Sequence, residues 1–109
     1  RGLDFAQAPF MRAPATPMAL PLQQALADAA RAVTGQAPMI ASGAGHDAVA
    51  MAQLCPVGML FVRCAAGISH NPAESVTPED AGIAVAVLVA AIEASASGHG
   101  NQITEPPAA

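Results

Sequence analysis

The stretch Ser42–Ser75, SGAGHDAVAMAQLCPVGMLFVRCAAGISHNPAES, decides the fold, because it places a glycine-framed histidine on either side of an uninterrupted apolar run. That run, VGMLFV at residues 57–62, is typical of a strand buried on both faces of a parallel sheet. Just before the stretch, PMIAS at residues 38–42 predicts a second, very short buried strand. Because a strand that is apolar on both faces needs a layer on each side, the pattern predicts an α/β fold.

Three helices are predicted around these strands. The first occupies residues 20–34: Pro21 suits its first turn and Gly35 the point where the chain leaves it. Its apolar face consists of Leu22, Leu26, Ala29, Ala30 and Val33. The second is short, residues 48–54, with Asp47 as its N-cap. The third is capped by Thr77, takes Pro78 at its first position and continues to residue 96.

The predicted order is helix, strand, helix, strand, helix, after an extended entry segment with a short strand at Leu3–Phe5. Two strands do not make a stable sheet, so we expect one edge of a larger α/β domain. An Arg at position 1, where a complete protein has Met, adds the expectation that the chain is a piece of a longer protein. Residues 98–109, polar and rich in Gly and Pro, predict a disordered tail.

Composition excludes two classes of partner. The net charge is -4 and the four cations are scattered arginines, so the chain offers no basic patch for nucleic acid. The longest uncharged apolar run, residues 81–92, falls short of the roughly 20 residues that cross a membrane. Cys55 and Cys64 are interpreted as buried, unpaired thiols of a cytoplasmic protein.

The glycine loop, Ser42-Gly43-Ala44-Gly45-His46, lies between a predicted strand and a predicted helix N-terminus. Unpaired N–H groups and the helix dipole favour an anion such as a carboxylate there, and glycines let the main chain approach it. The alternative is a tight turn without a ligand. The loop lacks the Gly-Lys-Ser/Thr of a phosphate-binding loop and the third glycine of a dinucleotide fingerprint.

His70 follows the C-terminal end of the second strand, where open α/β sheets place ligands. Its imidazole is a candidate metal ligand, and the alternative is an ordinary loop histidine. Glu74 either orients that site or bonds to local main chain. A nucleophilic pair of Cys64 and His70 is a further candidate without a supporting pattern. No residue of the chain is assigned as a catalytic acid or base.

Together, SGAGHDA and P-x-G-M-L-F-V-R-C-x-x-G-I-S-H-N-P-x-E resemble the C-terminal part of the di-metal amidohydrolases. This family includes allantoate amidohydrolase, N-carbamoyl-L-amino-acid hydrolase and bacterial β-ureidopropionase, within the aminoacylase–carboxypeptidase clan of zinc peptidases. The resemblance covers residues 12–95 and includes APATPMALPLQQALADAARAVTG, which is similar to the family's return from its inserted lid domain.

The resemblance implies a three-layer zinc-exopeptidase-like catalytic domain, incomplete in this chain. Residues 1–20 would end the lid or dimerisation domain, and residues 21–97 would form the C-terminal part of the catalytic domain. His70 would bind one of two divalent metal ions (zinc, manganese, cobalt or nickel). The substrate carboxylate would lie against Gly43, Ala44, Gly45 and His46. Asp47 and Glu74 would contact these site residues and not the metal or the substrate.

The resemblance further implies hydrolysis of a C–N bond in ureido or carbamoyl amino acids or allantoate, by a cytoplasmic homodimer. The other metal ligands and the catalytic glutamate have no counterpart here, so the partner of this chain would be the rest of the same catalytic domain. Alone, the chain should be inactive. The alternatives are a small α/β anion-binding module and a non-catalytic structural partner.

Overall fold

The computed structural model describes residues 2–9 and 14–99. Three α-helices follow one another along the chain: α1 at Leu20–Thr34, α2 at Ala48–Met51 and α3 at Pro78–Ala94. A 3-10 turn at Ala65–Gly67 precedes α3, and a π-helical turn at Ser95–His99 follows it. The predicted tail starts inside that turn, and from residue 100 onward it lies outside the described residues.

Helix α1 begins and ends as the sequence predicts. Pro21 lies in its first turn, where a missing N–H costs nothing. Gly35 adopts a left-handed conformation with φ 77° and donates its N–H to the carbonyl of Arg31 at 2.8 Å. This conformation suits glycine, which has no Cβ to clash. Ahead of the helix, Ala19 donates its N–H to the Val57 carbonyl at 2.8 Å, tying α1 to the second apolar segment.

Helix α3 also confirms its predicted start. The Thr77 hydroxyl accepts a hydrogen bond from the Asp80 main-chain N–H at 3.1 Å and donates to the Asp80 carboxylate at 3.0 Å. Pro78 follows in the first turn. Asp80 also pairs with Arg63 at 2.8 Å, so the start of α3 is joined to the end of the apolar segment that precedes it.

The core lies between α1 and α3. Ala29, Val87 and Ala91 are buried, with Val87 only 2% exposed, and Leu26, Leu60 and Ile83 pack around them. Because the residues at the centre are mostly alanines, the two helices can approach closely. Residues 57–62 lie across this helix pair.

Gly58 is the tightest contact between that segment and α1. A Cβ built on Gly58 would lie 3.0 Å from the Leu22 Cβ and 3.1 Å from the Leu26 Cδ1. The absence of a side chain at residue 58 therefore sets how closely the segment approaches the helix.

The predicted strands are wrong for the described residues, which contain no β-strand. Residues 38–42 and 57–62 run without helix, turn or bend, but neither forms a hydrogen-bonded ladder. At the entry segment, Leu3 and Phe5 are more than four-fifths exposed instead of paired. A strand exists only through hydrogen bonds to a neighbour, and the apolar pattern predicts the segment but cannot supply that neighbour.

The prediction that no apolar stretch is long enough to cross a membrane is wrong for one helix. The helical stretch Pro78–Ser97 is long and apolar enough to cross a membrane by length and composition, and 11% of its most apolar window is buried. Its few acidic residues interrupt the apolar run without ending the helix. The core helix of a water-soluble domain, which is mostly buried, passes the same test; in this helix Val87 and Ala91 are the residues buried against α1.

Candidate functional site

The glycine loop and the histidine loop meet at one open cleft of about 450 Å³. Residues 41–44 form one side, and Phe61, Ser69 and His70 form the other. The structure therefore brings together Gly43, Ala44 and His70 from two loops 26 positions apart. Of the other predicted site residues, Gly45, His46, Asp47 and Glu74 do not line this cleft.

The glycine loop is held by Ser42. Its hydroxyl donates to the Ala44 carbonyl at 3.0 Å and accepts from the Ala44 N–H at 3.3 Å. Gly43 and Gly45 have no positive φ, and a Cβ on either would meet nothing within 4 Å in the described part of the chain. Neither the turn nor its packing there requires glycine at these positions, which weakens the alternative that they serve the turn alone.

Asp47 stands at the predicted N-cap position of α2, but the side-chain cap comes from His46. The Ala48 N–H donates to the His46 Nδ1 at 3.1 Å, and the Val49 N–H donates to the His46 carbonyl at 2.9 Å. Asp47 has helical angles, whereas a capping residue normally has extended ones, and its side chain makes no cap hydrogen bond. The helix is also shorter than predicted, ending at Met51 instead of residue 54.

This cap fixes the hydrogen-bonding character of the His46 ring. A neutral imidazole that accepts through Nδ1 carries its proton on Nε2. His46 therefore carries its N–H donor on the far side of the ring from this cap. Such a donor suits an anionic group.

His70 is held in an uncommon main-chain conformation by its neighbours. Its φ is 57°, in the left-handed region that few non-glycine residues adopt. The His70 main-chain N–H donates to the Glu74 carboxylate at 2.8 Å. Asn71 closes the turn between them, accepting from Ala73 on its side chain and from Glu74 on its carbonyl, both at 2.9 Å. Glu74 thus bonds the main chain, the second of its two predicted roles.

The imidazole of His70 is oriented by Ser69, whose hydroxyl lies 2.8 Å from Nδ1. Within the described residues Nε2 has no hydrogen-bond partner and is available for a ligand. Sequence reasoning missed Ser69 and Phe61 as cleft residues. The available signal for Ser69 was its position next to a candidate ligand histidine, since such histidines usually bond through their second nitrogen.

The described residues fit one ligand of a metal site and not a whole one. An imidazole nitrogen at an open cleft has the right chemistry, but residues 2–9 and 14–99 hold no group of three His, Cys, Asp or Glu side chains that could bind a metal ion. Cys64 is half-buried and Cys55 is exposed, so the predicted burial of Cys55 is wrong. No hydrogen bond joins Cys64 to His70 there, which leaves the proposed nucleophilic pair without support.

Comparison with known proteins adds the family. The family model of Peptidase family M20/M25/M40 matches residues 4–94, most of the chain. The chain belongs to this family. Its fold is therefore of the α/β class, although the described part of the chain contains helices alone.

The relatives in this family are longer proteins. The chain is 48% identical over 80 residues to allantoate deiminase from Arabidopsis thaliana, which is 70% of this chain and 15% of that protein. It is 53% identical over 47 residues to an N-carbamoyl-L-amino acid amidohydrolase from Geobacillus stearothermophilus, 43% of this chain and 12% of the relative. Ureidoglycolate hydrolase from Arabidopsis thaliana is 41% identical over 63 residues, 58% and 13% of the two chains.

The chain thus spans about 15% of the length of the relatives that it matches. No solved structure matches it significantly.

Proposed function

We propose that the chain is the C-terminal part of the catalytic domain of a metal-dependent amidohydrolase. The complete enzyme would cleave a C–N bond of ureido or carbamoyl amino acids or of allantoate, the compounds named in its relatives. The observation that carries the proposal is the shared cleft: the glycine loop and His70 lie far apart in sequence and face the same open volume.

His70 is the metal-binding residue in this proposal. Its Nε2 would be the ligand atom, while Ser69 holds Nδ1 at 2.8 Å and Glu74 holds the main chain at 2.8 Å. Members of this family generally bind divalent metal ions. The complete enzyme would bind two such ions, which would be zinc, manganese, cobalt or nickel. When bound, such ions polarise the scissile carbonyl and activate water.

The glycine loop binds the carboxylate of the substrate. The loop leaves open space where side chains of other residues would stand, so a ligand can approach the main chain at Gly43 and Gly45. The Nε2–H group of His46 adds a hydrogen-bond donor from which a carboxylate can accept. Asp47 supports this loop through the main chain of α2, where its carbonyl accepts from Met51 at 3.0 Å.

The acid–base chemistry belongs to the rest of the enzyme. The chain contributes one metal ligand and the carboxylate site, so the isolated chain should not hydrolyse these substrates. Residues 1–20 would be the end of a lid or dimerisation domain and a connector, residues 21–97 the C-terminal part of the catalytic domain and residues 98–109 a disordered tail. The complete enzyme would be a homodimer without nucleic-acid or membrane partners.

A cytoplasmic location is part of the same proposal. Both cysteines are free thiols, as expected in a reducing compartment.

A chimera tests the proposal. In the Geobacillus stearothermophilus enzyme, the segment that corresponds to residues 14–94 of this chain in the family model is replaced by those residues; we refer to this protein as the chimera. We expect the chimera to hydrolyse an N-carbamoyl amino acid, the isolated chain to be inactive, and His70→Ala in the chimera to lose one equivalent of metal together with activity. Full metal content and normal turnover in that variant would remove His70 from the site.

The second candidate is an anion-binding module that works without metal. The glycine loop and His46 favour it, because they need no metal to bind a carboxylate. Calorimetric titration of the isolated chain with N-carbamoylglycine in the presence of a chelator distinguishes the two. Binding with cooperative unfolding of the free chain supports the module, and no binding supports the partial catalytic domain.

A further inference from the structure

The two histidines of the candidate site have different hydrogen-bonding partners at the same ring nitrogen. The Nδ1 of His46 accepts from the Ala48 main-chain N–H at 3.1 Å, a group that can only donate. The Nδ1 of His70 lies 2.8 Å from the Ser69 hydroxyl oxygen. A hydroxyl can donate as well as accept, so this contact is compatible with a proton on either nitrogen of the His70 ring.

Only one of the two neutral forms of His70 can bind a metal ion through Nε2. If the Ser69 hydroxyl donated to Nδ1, the ring proton would be on Nε2, and that atom would have no lone pair for a metal. If the Nδ1–H donates to the Ser69 oxygen, Nε2 keeps its lone pair. A metal-binding His70 therefore requires that Ser69 accepts this hydrogen bond.

Ser69 can accept without leaving its own proton unpaired. It is exposed and lines the open cleft, so water can accept from its O–H group. Within the described residues, the contact with His70 is the one hydrogen bond of the Ser69 side chain. Accepting from Nδ1 therefore leaves no buried polar group without a partner.

The main chain of His70 is held separately from its ring. The His70 N–H donates to the Glu74 carboxylate at 2.8 Å, which supports the left-handed conformation of that residue. The side chain can still rotate, and in the described part of the chain Ser69 makes the one hydrogen bond to the ring. Metal-binding histidines usually donate their second N–H to an oxygen atom, which fixes both the proton and the orientation of the ring.

We propose that Ser69 is a positioning residue of the metal centre: its hydroxyl accepts the Nδ1–H of His70 and thereby keeps Nε2 as the ligand atom. The inference rests on the proposed function, in which His70 binds a metal ion. It also distinguishes the two histidines. The Ala48 N–H keeps the proton of His46 on Nε2, so His46 is a hydrogen-bond donor and not a metal ligand.

Nitrogen NMR of the metal-free chimera tests the direction of the bond. The chimera is labelled with 15N-histidine and measured at about pH 8, where an ordinary imidazole is neutral. The signals of the two histidines are identified by their loss in His70→Gln and His46→Gln. We expect the proton on Nδ1 in His70 and on Nε2 in His46. A proton on Nε2 in His70 would overturn the proposal.

Metal affinity tests the positioning role. In a chelator competition, Ser69→Ala should weaken Zn²⁺ binding to the chimera about 10- to 100-fold, as the loss of such a contact typically does. Ser69→Thr keeps the hydroxyl and should bind Zn²⁺ nearly as well as the unsubstituted chimera. Ser75→Ala is the matched control in the same loop, because among the described residues only the main-chain carbonyl of Ser75 is hydrogen-bonded. Unchanged affinity in Ser69→Ala, or an equal loss in Ser75→Ala, would contradict the positioning role.

Thermal unfolding of the metal-free variants separates positioning from a structural role. Because Ser69 is exposed, Ser69→Ala should have the same Tm as the unsubstituted chimera without metal. A lower Tm in Ser69→Ala that Ser69→Thr restores would assign the hydroxyl to folding and overturn the proposal.

The outcomes also distinguish this inference from the proposed function. If His70→Ala loses one equivalent of metal while Ser69→Ala binds normally, the role of Ser69 is wrong and the proposed function stands. If Ser69→Ala loses affinity and His70 carries its proton on Nδ1 in a chimera that hydrolyses none of the proposed substrates, the role of Ser69 is supported and the proposed function is not. Full metal content in His70→Ala would overturn both.

Discussion

Gly58 gives the sharpest quantitative prediction, because the structure fixes both sides of its contact. In Gly58→Ala the new Cβ would lie 3.0 Å from the Leu22 Cβ and 3.1 Å from the Leu26 Cδ1, where ordinary contacts are 3.4 Å or more. Leu26 can rotate its methyl group away. The Leu22 Cβ is fixed by the main chain of α1, so the helix itself must move by a few tenths of an ångström.

The expected cost follows from two opposing terms. Overpacking of a tight contact costs about 1–3 kcal/mol. Replacing Gly by Ala returns about 0.4–1 kcal/mol through the lower entropy of the unfolded chain. The net destabilisation is about 1 kcal/mol, or a fall in Tm of roughly 2–4 °C for a domain of 150–250 residues.

The assay is thermal unfolding of the chimera followed by circular dichroism at 222 nm. Gly82→Ala is the matched control: it lies in α3, its new Cβ meets nothing within 4 Å, and it should raise stability by about 0.5–1 kcal/mol. If Gly58→Ala were as stable as Gly82→Ala, residues 57–62 would not be held against α1 as described.

Three further predictions concern the site. In the chimera, Glu74→Ala should weaken metal binding about 10- to 100-fold in a chelator competition. Glu74→Gln should bind metal nearly as well as the unsubstituted chimera, because its amide oxygen can still accept the His70 N–H. An equal loss in both variants would show that the charge of the carboxylate matters instead. His46→Ala should cost about 1 kcal/mol in urea unfolding through the lost cap, and Asp47→Ala much less, since Asp47 caps nothing; the reverse order would restore Asp47 as the cap. Gly45→Val should raise KM for an N-carbamoyl amino acid without changing Tm or metal content, because its site is sterically open in the described chain; lost metal would assign the loop a structural role.

Local chemistry made the helices predictable. The starts of α1 and α3 follow from Pro21, Thr77 and Pro78, and the end of α1 follows from Gly35, because each of these residues acts on main-chain groups within one turn. The two motifs predict a glycine loop and a histidine loop at one site, and in the structure residues of both loops line one cleft, because each loop follows an apolar segment.

Non-local partners made the rest unpredictable. The hydrogen-bonded ladders that would make residues 38–42 and 57–62 into strands need neighbouring strands, which an apolar pattern cannot provide. The exchange of roles between His46 and Asp47 depends on where the chain enters helical angles, a difference of one residue. Cys55 is exposed because it lies beyond the end of α2, and that end came earlier than the sequence indicated.

The loop that carries His70 is closed at its base, because the Ala65 N–H donates to the Ser75 carbonyl at 2.9 Å and Arg63 pairs with Asp80 at 2.8 Å. The loop that carries the imidazole is therefore joined to the N-terminus of α3, and α3 in turn packs on α1. A shift of α3 along α1 would therefore also move the base of the loop that carries His70. A substitution in the α1–α3 interface, distant from the cleft, would then displace the imidazole even where the domain still folds.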